Sequence, residues 1–151
     1  MYTPYEGTII SAEKKDILLL QERPGARFSA KALRLGTTMA IFIDESAYST
    51  ETERRYAFVH EIAHCETGSF YKEGMHEVEC MRMDYRANKY TVLHLVPFEL
   101  YKNTILAGKI DEWEQAEAWD VPQRFVSVVH RVYTSTRWDD VQRLRQLCEV
   151  S

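Results

Sequence analysis

Two histidines and a glutamate lie close together in the stretch FVHEIAHC at residues 58–65. His60 and His64 are four residues apart, so on a helix they lie about 40° from each other around the axis and one turn apart. Both rings can then direct a nitrogen at one metal ion, and zinc accepts that arrangement readily. Glu61 is rotated about 100° from His60, so it would flank the metal and act on a water molecule as a general base. The spacing predicts two metal ligands and one catalytic base.

A catalytic zinc site also needs a third protein ligand and one open position for water. Asp84 and Asn88 are four residues apart and would share one face of a second helix. If Asp84 binds the ion, the amide oxygen of Asn88 can accept a hydrogen bond from the free ring nitrogen of a zinc-bound histidine. Glu77 and Glu79 are nearby carboxylates, and they remain alternatives to Asp84 as the third ligand.

The sequence carries start and stop signals for the two helices that must position these residues. A capping box at 50–53 begins the first helix, and Gly68 is placed to end it. Apolar residues at helical spacing between them indicate a buried helix rather than a solvated face that happens to carry His and Glu. The second helix is predicted from about residue 76 to 95, because Val96-Pro97 cannot continue it.

A small sheet is predicted before these helices. A capping box with proline at 3–6 begins a short helix that runs to about residue 14. Apolar runs at 17–20 and 31–44, the second interrupted by Gly36, predict about three strands in a mostly antiparallel sheet. The chain breaks between them at Arg23-Pro24-Gly25.

Short helices dominate the second half of the chain. They are predicted at 98–107, 110–119, 121–133 and 136–148. We therefore expect one α+β domain over residues 1–151, with a catalytic core at 1–108 and a C-terminal helical module at 109–151 packed on it.

Composition and charge narrow the classes of partner. The chain has 151 residues, of which 45% are hydrophobic and 28% charged, and a formal net charge of -4. This balance does not favour binding to nucleic acid or to an anionic membrane. Residues 114–133 have the rhythm of a helix-turn-helix, but the second helix has few basic residues, so a packing module is favoured over DNA binding. The apolar runs are too short to span a bilayer, and we expect a cytoplasmic protein.

The cysteines follow no disulfide framework. Cys65, Cys80 and Cys148 are an odd number at no recognisable spacing, which predicts free thiols in a reducing compartment. Cys65 and Cys80 are further candidate metal ligands, ranked below the carboxylates. Cys65 follows His64 directly, which raises the hypothesis of a redox trigger, although a buried packing role is favoured.

With both motifs identified, most of the chain resembles the ImmA/IrrE family of HExxH metallopeptidases. The first segment of the resemblance runs from Ile43-Asp44 through ERRYAFVHEIAH at 53–64. The second is DYRAN at 84–88 followed by LHLVP at 93–97, and AWDVP at 118–122 is similar to the C-terminal part of the family. Glutamate is usual in the family where Asp84 stands here, so the ligand chemistry is kept on a side chain shorter by one methylene.

The resemblance implies a zincin-like fold, bound Zn²⁺, and cleavage of a helix-turn-helix transcriptional repressor encoded nearby. Together with the residues, it leads to the hypothesis of a zinc endopeptidase in which His60, His64 and Asp84 hold the ion and Glu61 is the base. The alternative is a protein-interaction module with a weak or structural metal site that binds a repressor or another partner without cutting it. The shorter Asp84 and the absence of an obvious oxyanion donor motivate that alternative.

Overall fold

The computed structural model describes residues 3–21 and 29–150, and this part of the chain contains seven α-helices and a three-stranded sheet. The predicted α+β class is confirmed. The chain divides into two compact units, an N-terminal unit at Met1–Thr91 and a C-terminal unit at Val92–Ser151. The sequence analysis had placed the boundary of the catalytic core later, at residue 108. The predicted break at Arg23-Pro24-Gly25 lies outside the described residues.

The N-terminal unit begins with a helix and the sheet and continues with two longer helices. Its elements are α1 (Pro4–Lys14), β1 (Ile17–Gln21), β2 (Ala30–Leu35), β3 (Thr38–Ile43), a short 3₁₀ helix (Glu45–Ala47), α2 (Glu51–Thr67) and α3 (Glu77–Leu95), whose last turn belongs to the C-terminal unit. The elements predicted over this segment are therefore confirmed to within a few residues at their ends.

The sheet is mixed, and the prediction of a mostly antiparallel sheet is wrong. The strand order is β1-β3-β2, with β3 parallel to β1 and antiparallel to β2. Gly36 has φ +62° in the tight turn between β2 and β3, a conformation that favours glycine. That hairpin inserts β3 between the other two strands, so β3 runs in the same direction as β1, and β2 lies at one edge.

The helix α2 buries one face in the core of this unit. Its side chains Phe58, Ile62 and Cys65 are at most 4% exposed, and they form a cluster with residues of α1, β1 and β3, namely Tyr5, Ala12, Ile17, Ile41 and Ile43. At 100° per residue, Ile62 and Cys65 lie within about 40° of Phe58 around the helix axis. The same count turns Glu61 about 60° away from Phe58, and His64 and His60 about 120° and 160° away, all to the same side. Core packing therefore directs the two histidines away from the sheet, with Glu61 between them and the buried face.

Both ends of α2 are capped as the sequence predicts. The hydroxyl oxygen of Thr50 accepts a hydrogen bond from the N–H of Glu53 at 3.2 Å. At the other end Gly68 adopts φ +66°, and the N–H of Ser69 then donates to the carbonyl oxygen of His64 at 3.0 Å. The turn after α2 is thus fixed against the last residues of the helix.

The C-terminal unit is helical. After the end of α3 it contains α4 (Phe98–Leu106), α5 (Glu112–Trp119), a 3₁₀ helix (Gln123–Phe125), α6 (Val126–Thr136) and α7 (Trp138–Val150). Its core includes the large buried side chains Trp119, Phe125 and Tyr133. No helix in the described part of the chain combines the length and the apolar character needed to cross a bilayer.

His130 of α6 lies in a hydrogen-bonded chain inside the C-terminal unit. The amide Nε2 of Gln115 donates to the carbonyl of Lys109, so its Oε1 is free to accept from His130 Nε2–H at 2.7 Å. His130 Nδ1 then accepts from the hydroxyl of Tyr101 at 3.0 Å. With Nε2–H donating and Nδ1 accepting, the ring is neutral. Burial lowers the pKa of His130, nearby Arg145 lowers it further, and Glu112 opposes them.

We expect acid to destabilise the C-terminal unit through His130. Because its folded-state pKa is depressed, the unfolded chain binds more protons at this ring, so stability present above about pH 6.5 is lost as the pH falls below that value. The urea midpoint should fall between about pH 7.5 and about pH 5.5, and His130→Gln should reduce this fall. Fluorescence can report it for this unit alone, because all three tryptophans, Trp113, Trp119 and Trp138, belong to it. An identical pH dependence in wild type and variant would contradict this assignment.

Candidate metal centre

The helices α2 and α3 bring three donor side chains to one point in the N-terminal unit. One ligand atom each of His60, His64 and Asp84 lies within 4.8 Å of the other two. The two histidine Nε2 atoms are 3.2 Å apart, and nitrogens bound at about 2.0–2.1 Å to one tetrahedral ion would be about 3.4 Å apart. This group could therefore hold a metal ion. The alternative carboxylates Glu77 and Glu79 are exposed on α3 and lie outside the group.

His64 is held in the tautomer that a metal ligand needs. Its ring is 4% exposed, and Nδ1–H donates to the backbone carbonyl of Ser69 at 2.6 Å. That hydrogen bond leaves the lone pair on Nε2, which faces His60. The left-handed conformation of Gly68 turns the chain so that Ser69 can both donate to the backbone of His64 and accept from its ring. The same turn therefore caps the helix and orients the ring of His64.

His60 is a half-buried residue whose ring favours the neutral form. Burial, and then the nearby His64, lower the pKa of His60 to about 4 against the opposing effect of Asp84. A neutral imidazole is the form that binds metal ions. The other ring nitrogen, Nδ1, is buried without a hydrogen-bond partner in the described part of the chain. The predicted hydrogen bond from a histidine to Asn88 is therefore not made by either ring, since Ser69 takes the proton of His64.

Tyr71 adds a group that the sequence analysis did not select. Its hydroxyl donates a hydrogen bond to Oδ1 of Asp84, and its ring centroid is 5.4 Å from that of His64. Burial, followed by the hydrogen bond to Asp84, raises the pKa of Tyr71, so the hydroxyl remains a donor at neutral pH. The bond fixes one carboxylate oxygen and leaves the other for a metal. In the sequence, Gly68 was the only indication that the chain turns after α2 and brings later residues close to the histidines.

Glu61 is attached to the edge of the sheet. The carbonyl oxygen of Ser29 accepts a hydrogen bond from the N–H of Asp44 at 2.8 Å. In an antiparallel pair the residues of β2 alternate between those bonded to β3 and those that are not, so the N–H of Ala32 points away from β3. That N–H donates to Oε2 of Glu61 at 2.7 Å. Burial raises the pKa of the Glu61 carboxyl, while His64, the Ala32 N–H and Lys31 act in the opposite direction. A carboxylate with a raised pKa is suited to accept a proton near neutral pH.

All three cysteines belong to the described part of the chain, and they are free thiols, as the sequence predicts. Cys65 is buried in the core cluster on the face of α2 that contacts the sheet. Burial, together with the charges of Glu61 and Glu66, raises the pKa of this thiol to about 12. A protonated, buried thiol is a poor nucleophile, so these observations favour the packing role over the redox trigger. Cys80 does not belong to the group of metal-ligand atoms.

Comparison with known proteins gives no family assignment. The chain matches no protein-family model, and no curated protein or solved structure is significantly similar to it. Membership of the ImmA/IrrE family therefore stays a prediction. Function has to be inferred from the residues of the centre and their geometry.

Replacing Tyr71 by phenylalanine should weaken metal binding. The variant keeps the ring but loses the hydrogen bond that orients Asp84. Loss of such a supporting bond typically lowers metal affinity by about 10- to 100-fold, and we expect an effect of that size here. Competition with a chromophoric chelator measures zinc affinity directly. Tyr85→Phe, which changes an exposed residue next to Asp84 on α3, is the matched control. Equal zinc affinity for Tyr71→Phe and wild type would show that this hydroxyl does not position the ligand.

Proposed function

We propose that this protein is a zinc-dependent endopeptidase with a zincin-like catalytic unit. One observation carries the proposal: the donor atoms of His60, His64 and Asp84 converge within 4.8 Å, beside the half-buried Glu61 at the second position of the HEIAH motif. Two imidazoles and one carboxylate are a donor set of catalytic zinc sites, which leave a fourth position open. Burial favours the neutral ring of His60, and the bond to Ser69 directs Nε2 of His64 towards the same point.

Each residue around the metal has a separate role in the proposed reaction. When bound, zinc would lower the pKa of a water molecule and polarise the peptide carbonyl. Glu61 takes the proton from that water on Oε1, since Oε2 is engaged by the Ala32 N–H. It then delivers the proton to the leaving amine. Tyr71 keeps Asp84 oriented through the single proton of its hydroxyl, which it donates to Oδ1.

The edge strand supports a peptide as the substrate. β2 has β3 on one side only in the sheet, and its other edge faces Glu61 through Ala32. An extended peptide can add to such an edge by main-chain hydrogen bonds, independently of its side chains. A peptide bound along β2 would present a backbone carbonyl close to the base.

The proposed natural substrate is a helix-turn-helix repressor encoded near the gene of this protein, acting in the cytoplasm. This part of the proposal rests on the sequence resemblance alone. The alternative function is a metal-holding module that binds a repressor without cutting it. Its two motives were the shorter aspartate and the missing oxyanion donor. Asp84 nevertheless lies within reach of both histidines, which answers the first motive and favours the enzyme.

Replacing Glu61 by glutamine should abolish peptide hydrolysis and preserve metal binding. Glutamine keeps the size of the side chain and can still accept from Ala32, but it cannot take a proton, and loss of a general base typically costs about 10²- to 10⁴-fold in rate. Zinc content is measured by mass spectrometry after dialysis. Activity is measured on the repressor encoded near this gene. It is also measured on a mixture of peptides from a proteome digest, which does not presuppose a substrate.

The control for this experiment is Glu66→Gln, an exposed glutamate on the same helix. It should cut as the wild type does. If Glu61→Gln loses zinc together with activity, Glu61 has been assigned the wrong role. If the wild type binds zinc and the repressor but yields no fragments from any substrate, the interaction module replaces the enzyme.

A further inference from the structure

A cleft of about 470 Å³ lies between β2 and the segment at 68–72 that follows α2, and two of its lining residues bond to groups of the candidate centre. Ala32, whose N–H bonds the base Glu61, lies in one wall. Tyr71, whose hydroxyl bonds Asp84, lies in the other. Because both walls reach the reacting groups, the peptide segment next to the attacked bond would enter this cleft.

The charges of the cleft have the opposite sign to the charge of the whole protein. Three cations line it, Lys31, Arg34 and Lys72, and its lining contains no carboxylate, whereas the chain carries a net charge of -4. Arg34 is fixed at the turn after β2, because its Nε–H donates to the carbonyl of Gly36 at 3.1 Å. Its terminal nitrogens can still bind a carboxylate through two hydrogen bonds. Leu33 and Phe70 supply apolar surface beside these cations.

We propose that this cleft binds an acidic side chain, aspartate or glutamate, in the peptide segment that flanks the scissile bond. The inference rests on the proposed function and adds to it the chemical class of the substrate. Charge complementarity carries it, because the lining of the cleft is positively charged and contains no carboxylate. A neutral side chain would gain no such attraction, and a lysine would be repelled.

Peptide binding tests this without any need for cleavage. The full-length Glu61→Gln protein is titrated with short fluorescein-labelled peptides of alternating threonine and alanine that differ only in a central Glu, Gln or Lys. The Glu peptide should bind about tenfold more tightly than the Gln peptide, as expected for two or three partly exposed ion pairs. The preference should weaken as salt is raised. Equal affinity for the Glu and Gln peptides, or no binding of the Glu peptide at about 1 mM, would overturn the proposal.

Charge reversal supplies the matched pair of variants. Lys72 is exposed in the segment after α2, so Lys72→Glu should leave the fold intact and remove most of the preference for the Glu peptide, because the new carboxylate offsets the remaining cations. Lys14→Glu makes the same change in net charge at the end of α1, next to β1 at the opposite edge of the sheet, and should keep the Glu preference. A Glu preference that survives in Lys72→Glu would contradict the assignment to this cleft.

Two further readouts separate this inference from the proposed function. The Glu preference should persist after zinc is removed with a chelator, because the cleft and not the metal supplies it. A preference that disappears with zinc would mean that the carboxylate binds the metal, and the inference would fail. If the wild type cuts Glu and Gln peptides equally well, the proposed function stands and the inference fails. If it cuts no peptide but still binds the Glu peptide more tightly, the inference stands and the proposed function fails.

Discussion

The burial of one face of α2 against the sheet fixes the positions of His60, Glu61 and His64 in the candidate centre. Phe58, Ile62 and Cys65 are almost fully buried, and a large apolar side chain contributes about 1.5–3 kcal/mol when it is buried. A single hydrogen bond contributes about 1 kcal/mol, so core packing and not the polar contacts decides how α2 is rotated. That rotation directs His60 and His64 away from the sheet and leaves Glu61 facing its edge strand.

The polar groups of the centre are then held by backbone atoms rather than by other long side chains. Ser69 accepts from the ring of His64, and Ala32 donates to Glu61. Backbone groups in a capped turn and in a paired strand lose little further freedom when they form these bonds, so the ligand and the base are preorganised. Tyr71 is the exception, since it orients Asp84 from an exposed segment and is itself 52% exposed. The third ligand is therefore the part of the centre most open to a substrate or to solvent.

The sequence predicted the parts of this centre that depend on spacing along one helix. The pair His60 and His64, the base Glu61 and the facing carboxylate Asp84 follow from helical periodicity and from capping signals that lie close in the chain. The strand order could not be predicted, because nothing in the residues of β1 shows that the later hairpin inserts β3 beside it. The edge strand at Glu61 was missed for the same reason. Tyr71 and the Ser69 carbonyl were missed because their roles depend on the direction in which the chain leaves Gly68.

The central claim, that His60, His64 and Asp84 hold one zinc ion, is tested most directly by X-ray absorption at the zinc K-edge. Full-length wild type with one equivalent of zinc should show two imidazoles and light O or N ligands at about 2.0–2.2 Å, and no sulfur at about 2.3 Å. Asp84→Ala should lose an oxygen ligand or the zinc itself, while Glu77→Ala and Glu79→Ala should give the wild-type spectrum. A sulfur shell, or a spectrum unchanged by Asp84→Ala, would contradict the account.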